Sequence, residues 1–435
     1  MHPVKCLCSS TSFAVGAEGK NIVCALLARA NMLPAKTLCA VQSGQGAIET
    51  IELFQYFIPL ISQALPAERS AEVNCGTPRP IDRALLQSML RAPRFARRLC
   101  SAARVPILTA SDALSRWESA LPLSASSTML AGYSSVLGGI VMNPSLMMVP
   151  IDDHGFHRGH CVFDTCNVTG GKAFGLQMHL ERLLSSAQSA RIIEDRHSPP
   201  AGFDHASLRD IILQTIAATG RRDDVFVRYW LTVGRGDFAI SPKGCAANGG
   251  LSFYCVAHVD SHSASEPRGL AAAVVPVPLK PPLLATMKSN NYLLNALVAM
   301  EAEARDAQLG IQLEHGYVAE SAVSTIAIVD QQNVLRAPIP DRILDSTTWR
   351  RCSELAPLLI AEGTLAGVSA ASVSEAELRG AREILSLGGG WIEPIVRLDG
   401  QLVGDGQPGP VWRALDPTVR ADLENPLYTD DVPYA

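Results

Sequence analysis

The chain has 435 residues, 47% hydrophobic and 18% charged, with a formal net charge of −5. That length allows two or three domains with sizeable cores, and slight acidity without a basic, aromatic-interleaved stripe argues against nucleic-acid binding. The most apolar early segment, 51–65, is interrupted by Glu52 and Pro59 and is too short to span a bilayer, so no membrane segment is expected.

The eleven cysteines are irregularly spaced and form no CxxC pair, which reads as free thiols in a reducing compartment. Residues 1–104 differ from the rest. The first fifteen are rich in Ser and Cys with no acid, and residues 79–104 hold seven arginines against the single acid Asp82. This composition fits either an organelle-targeting segment or a poorly ordered, family-specific extension. A cytoplasmic, plastid or mitochondrial location stays open.

From there the pattern is mixed. Residues 107–121 read as an amphipathic helix that Thr109 or Ser111 could cap, with Leu114, Trp117 and Leu121 on one face. A strand, a Gly138-Gly139 turn and a second strand follow. Next come a strand at 161–168, a Gly170-Gly171 hairpin turn and a helix from about Gln177. Residues 207–219 are helical, and 225–234 and 251–259 have the β-branched and aromatic density of strands. A polar, Pro- and Gly-containing stretch then reads as a linker. The expected organisation is an extension (1–104), a small α/β domain (105–260), a linker (261–268) and a large α/β domain (269–435). Within the last, Asp416-Pro417 reads as the start of a short final helix, the acid capping it and the proline at its first position.

The chemistry concentrates around KPPLLATMKSNNYL, where Lys288 stands in an apolar run ahead of a helical pattern, with Glu320 on a strand 32 positions later. An amine in such a setting has a lowered pKa and is nucleophilic. A lysine and a carboxylate so arranged suit pyridoxal 5'-phosphate (PLP), which needs an amine at its aldehyde, an acid at its pyridine nitrogen and N–H groups, hydroxyls and a cation around its phosphate. Ser346-Thr347-Thr348 before a helical run, Gly388-Gly389-Gly390, and Arg182 could supply the last of these. Each also fits a plainer role: a solvated lysine or arginine, a strand acid, an N-cap, a turn. His154, His157 and His160 are spaced as metal ligands on a helix would be. Gly155 and Gly159 disfavour that helix, and no metal is expected.

Taken together, YSSVLGGI, DDHGFHRGHCVFDT, HLERLLSSA, RYWLTVGRGDFAISP, KPPLLATMKSNNYL, MEAEARDA, GYVAES and GQLVGDG, in this order over roughly 105–435, resemble the fold-type IV (class IV) PLP-dependent aminotransferases. The likeness is greatest to plant-type D-amino-acid-aminotransferase-like and branched-chain-aminotransferase-like proteins. The resemblance implies a two-domain α+β / α/β fold of the D-amino-acid aminotransferase type, here with an extra N-terminal extension. It implies PLP held by a Schiff base to Lys288, which would also shuttle the substrate proton. Glu320 matches the acid at the pyridine nitrogen, and Tyr292 the tyrosine near the phenolic oxygen. Arg182, Thr347, Thr348, Gly389 and Gly390 match phosphate-side positions. Phe163 lines the substrate pocket, and Arg228 and Arg235 are candidates for the substrate carboxylate. The implied reaction is transamination between a D-amino acid or branched-chain L-amino acid and a 2-oxo acid, in a homodimer. Aminodeoxychorismate lyase activity releasing pyruvate, or a drifted protein with little activity, are the alternatives. The chain departs from the family pattern at Ser321, Thr325 and Ser346.

Overall fold

The computed structural model describes residues 105–120, 128–247, 249–259 and 269–434. The extension expected over 1–104 and the linker expected over 261–268 lie outside the described residues. Helix α1 (Ala110–Ala120) begins where Thr109 Oγ1 accepts the Asp112 N–H at 3.1 Å. Leu114 and Trp117 on it stay about half exposed; Leu121, expected on the same face, lies outside the described residues. No helix among the described residues is long and apolar enough to cross a membrane. The described cysteines, at 161, 166, 245, 255 and 352, are free and buried.

A first sheet is antiparallel throughout, in the order β16-β4-β3-β5-β6-β1-β2. Its strands are β1 (Met129–Ser134), β2 (Gly139–Val141), β3 (Cys161–Thr169), β4 (Lys172–Phe174), β5 (Val225–Thr232), β6 (Ser252–Val259) and, from the C-terminal end, β16 (Thr429–Asp431). Strand β5 shows why one face is covered. Val225, Val227, Tyr229 and Leu231 alternate inward, and the pleat sends Arg228 the other way. The inward set packs on Leu176, Leu180 and Leu183 of α3 (Leu176–Ser189) and on Leu208, Ile212 and Ile216 of α4 (His205–Ala218). Asp204 caps α4 by accepting the Ser207 N–H at 3.0 Å.

Against the expectation that Gly155 and Gly159 disfavour a helix through the three histidines, His154–Arg158 does form a single helical turn, α2, which ends before His160. Asp153 Oδ1 caps it through Gly155 N at 2.8 Å. Gly159 ends it in a left-handed conformation (φ 67°), so this glycine terminates the turn instead of forbidding it.

A second, nine-stranded sheet runs β12-β11-β10-β13-β14-β7-β8-β9, with β15 against β14. Its strands are β7 (Leu270–Val275), β8 (Leu309–Glu314), β9 (Tyr317–Ser321), β10 (Thr325–Val329), β11 (Val334–Ala337), β12 (Gly367–Ala370), β13 (Glu383–Gly388), β14 (Trp391–Leu398) and β15 (Gln401–Leu402). Strands β14, β7 and β8 pair in parallel, as do β11 and β12. Parallel neighbours need a crossover. Between β7 and β8 it carries two helices, α6 (Pro282–Ala285) and α7 (Leu293–Glu303), the five-residue helix Lys243–Ala247 of the first half being α5. Lys288 lies in that crossover. Between β11 and β12 runs α8 (Thr347–Ala361). Helices α9 (Glu375–Arg379) and α10 (Pro410–Asp422) follow. Helices α8 and α10 bury Trp349, Cys352, Leu359, Val411 and Leu415 against Leu385 and Leu387. A separate core gathers Ile311, Ile326, Ile328, Ile384 and Ile395.

The last helix also departs from expectation. It begins at Pro410, and Pro417 sits inside it, so Asp416-Pro417 is not its start. The cap comes from another strand: Glu383 accepts Val411 N at 2.8 Å and Trp412 N at 2.9 Å. The proline at N1 lacks an N–H that would otherwise need a partner. Gly409 is required because a Cβ there would run into the Glu383 side chain. Replacing Glu383 with Ala removes both acceptors, and urea denaturation is expected to show a loss of about 1–3 kcal/mol.

Candidate active site

Strand β4 pairs with β3 only at its end, Val168 with Ala173 and Thr169 with Lys172. The first residues of β3 therefore have an edge open to another segment. The crossover chain fills it: Phe163 N donates to Lys288 O at 2.9 Å, and Asn290 N donates to Cys161 O at 2.9 Å. Lys288 N also donates to Ser186 Oγ of α3 at 3.2 Å. Lys288 is thus fixed by backbone on both sides before its side chain makes any contact.

The side chain ends among aromatics. Lys288 Nζ donates to Tyr292 Oη at 3.3 Å and stands 4.8 Å from the Phe163 ring centre. The two rings meet edge-on, with centres 5.0 Å apart. Burial lowers the lysine pKa to about 8, with Arg182, Arg228 and Lys280 adding to the effect and Asp164 opposing it. Burial and the neighbouring Glu320 push the Tyr292 hydroxyl up, so it stays protonated and can donate.

Glu320, on β9, is buried. Its Oε1 has no hydrogen-bond partner, although Lys280 Nζ lies 3.5 Å away as an ion pair. Burial raises the Glu320 pKa, against the lowering pull of Lys280 and the Leu344 N–H. Lys280 is itself buried and sits 5.1 Å from the Tyr292 ring centre. Its sequence neighbours, Pro281 and Pro282, give no local sign of this burial.

Arg182 reaches from α3. Its Nε and Nη2 each donate to Asp164 at 2.8 Å, and Nη1 donates to Asp345 O at 3.0 Å. Asp164 is fully buried, and burial alone would raise its pKa; Arg182 and His179 outweigh that and hold it well below the usual carboxylate range. Asp164 and His179 are further residues that the sequence did not single out. The only signal was Asp164 in a strand otherwise made for burial.

Thr347 and Thr348 are the first two residues of α8, where backbone N–H groups have no carbonyl inside the helix to meet. Thr348 Oγ1 accepts the Gly390 N–H at 3.0 Å, and Asn167 Nδ2 of β3 donates to Gly389 O at 2.5 Å. Thr347, Thr348 and Gly390 line one cavity with His179 and Arg351. The helix start and the glycine turn are therefore tied together, and the first N–H groups of α8 have no partners inside the helix.

On the face of β3 and β5 that carries Phe163, Arg228 lies 5.7 Å from the Phe163 ring centre and donates to Thr165 Oγ1 at 3.2 Å. Arg235 is not brought into this group. It is half exposed and paired with Asp152 at 2.9 Å. Among the described residues, no group of three or more His, Cys, Asp or Glu is placed to hold a metal ion. His154 and His160 instead bond Ala239 O and Ala190 O.

The family described as amino-transferase class IV matches residues 161–397. The chloroplastic D-amino-acid transaminase of Arabidopsis thaliana is 36% identical over 299 residues, covering 68% of this chain and 77% of that protein. Two solved branched-chain aminotransferases share the fold. That of Thermoproteus uzoniensis, with norvaline, superposes with a TM-score of 0.60 at 22% identity over 70% of this chain and 99% of its own. That of Thermobaculum terrenum, in its PLP form, gives 0.60 at 20% identity over the same shares. These likenesses settle the family: the chain belongs to the class IV aminotransferases, enzymes that use PLP to move amino groups.

Proposed function

We propose that this aminotransferase takes its amino group from a D-amino acid, with branched-chain L-amino acids as the second substrate class, and delivers it to a 2-oxo acid. The relative named as a D-amino-acid transaminase supports the first class, and one named as branched-chain-aminotransferase-like, at 27% identity, supports the second. The observation that carries the cofactor reading is the buried Glu320 Oε1 without a hydrogen-bond partner, within electrostatic reach of Lys288, whose pKa is about 8.

The bound cofactor would supply an electron sink for negative charge at the substrate Cα. Glu320 Oε1 would accept the ring N–H and so satisfy its own missing hydrogen bond. Tyr292 would orient the phenolic oxygen. The Thr347 and Thr348 N–H groups, the Thr348 hydroxyl and the Gly389-Gly390 turn would hold the phosphate, with Arg182 adding charge from a fork already fixed by Asp164. Lys288 would attach the cofactor and, once released by substrate, move the proton between Cα and C4′. Phe163 would bound the substrate side chain, and Arg228 would anchor its carboxylate; Arg235 would serve there only after leaving Asp152.

The exposed Leu293 and Met300 of α7, with Val323 on the adjoining turn, support a homodimer. The chloroplastic relative, the Ser- and Cys-rich first fifteen residues and the arginine cluster at 79–104 support a plastid location.

Visible absorption and borohydride reduction test the cofactor. The purified protein should show a band that reduction removes, leaving the adduct on Lys288; an adduct on another lysine would sink the reading. Lys288→Ala should lose the band and at least about a hundredfold in transamination of D-alanine with 2-oxoglutarate. Uptake of PLP by the apoprotein needs the free amine. Stopped-flow rates should therefore climb with pH and level off above about 8, where Lys288 has lost its proton.

Asp164 gives a stability test. Its folded pKa lies below an unfolded value of about 3.9. The pair therefore contributes above that pH, and the contribution fades as pH falls further. Asp164→Asn should cost about 3–5 kcal/mol in urea denaturation at pH 7, shrinking below about pH 4, and should weaken PLP binding by freeing Arg182.

A further inference from the structure

Two lysines, not one, stand in the crossover between β7 and β8. Lys280 is 7% exposed, a burial that lysine reaches only when paired. Its partner is Glu320, also 7% exposed, with Nζ 3.5 Å from Oε1. The same ammonium lies over the Tyr292 ring at 5.1 Å, and Lys288 Nζ lies 5.8 Å from that ring. One aromatic side chain therefore has a lysine beside it from each end of KPPLLATMK.

Resting on the cofactor reading above, we propose that Lys280 is a positioning residue that keeps Glu320 an ionised carboxylate aimed at the cofactor's ring nitrogen and sets the proton affinity of the Lys288 nitrogen. The need arises from burial. A lone carboxylate in this place would take up a proton. Protonated, it would no longer hold the ring nitrogen as a cation. An ammonium 3.5 Å away opposes that protonation while leaving the buried Oε1 without a hydrogen-bond partner, a place the ring N–H would fill.

The charged and titratable groups facing these residues come from four directions. Lys288 is influenced by Arg182 of α3, Asp164 of β3, Arg228 of β5 and Lys280. Glu320 is influenced by Lys280, Lys288 and the Leu344 N–H, and Tyr292 stands between the two lysines. Removing Lys280 lowers the buried charge by one whichever of Glu320 and the ring nitrogen keeps the shared proton. The Lys288 nitrogen then holds its own proton more firmly.

The experiment is a pH titration of the visible band in PLP-loaded wild type, Lys280→Met and Lys280→Arg. Loss of the charge should move the midpoint up by about half a unit or more, and arginine should bring it back towards wild type. A midpoint unmoved in Lys280→Met, or one displaced equally in Lys280→Arg, overturns the proposal. If Lys280→Met does not fold, the same titration is read on Lys280→Met/Glu320→Gln against Glu320→Gln alone, where loss of Lys280 should again raise the midpoint and no change overturns the proposal. Apoprotein stability is read alongside. The deficit of Lys280→Met against wild type should shrink as pH falls and Glu320 takes a proton, and adding Glu320→Gln should remove that pH dependence. A deficit independent of pH counts against the ion pair. A wild-type protein without a visible band would overturn the cofactor reading itself, whereas a wild-type band with no shift overturns only the role of Lys280.

Discussion

The site depends on a stretch of chain borrowed as a strand. Strand β3 leaves its first residues open because β4 covers only its end, and residues 288–290 occupy that edge through Phe163 N to Lys288 O and Asn290 N to Cys161 O. Each bond contributes only about 1 kcal/mol net, yet together they fix where an otherwise flexible crossover passes. An open edge would also invite pairing with another chain, so one arrangement closes the edge and places the lysine. Ser186 Oγ adds a third fixed point from α3. Everything chemical about Lys288 follows from this placement, since it brings Nζ to Phe163 of β3 and Tyr292 at the start of α7.

Around that clamp the buried charges come in pairs of unequal strength. Asp164 and Arg182 meet through a bidentate fork at 2.8 Å, which fixes the arginine's plane. Lys280 and Glu320 meet at 3.5 Å without a hydrogen bond at Oε1. The first pair is closed and serves as framework. The second is open, and an open buried carboxylate is costly unless another donor completes it. Arg182, Arg228 and Lys280 outnumber Asp164 and Glu320 around the lysine. Burial first, and that surplus of positive charge after it, keep the Lys288 amine easily deprotonated, and the surplus suits ligands that carry phosphate and carboxylate groups.

What the sequence revealed divides along a physical line. Local signals were legible. The alternation in VFVRYWLT, the Gly170-Gly171 turn and the Thr109 cap depend on neighbours within a few residues, and all appear where expected. Partners distant in sequence were not. The cap of α10 comes from Glu383, 28 positions away, so the nearer Asp416-Pro417 misled. Lys280 and Glu320 lie 40 positions apart, and nothing local distinguishes Lys280 from a solvated lysine. The single turn at His154 was hidden because its cap, Asp153, is itself held by Thr232 and Tyr254 from two distant strands. Lys288 was legible only through several distant motifs taken together.

The three departures from the family pattern can be weighed on the same grounds. A hydroxyl added beside a phosphate or a ring would narrow the site if it pointed there without a partner. Ser346 Oγ instead accepts the Trp349 N–H at 3.2 Å and caps α8, holding the helix start that presents Thr347 and Thr348. Ser321 Oγ accepts the Ser324 N–H at 2.9 Å and lies 2.7 Å from Ser324 Oγ, which in turn lies 2.7 Å from Ser386 Oγ of β13. Thr325 is buried at the start of β10, in register with Leu387. Two of the three hydroxyls are thus engaged in shaping the turns that border the site. The serine at 321, the residue after Glu320, joins β9 to β13 through Ser324 Oγ, so this substitution ties down the strand end that carries the acid.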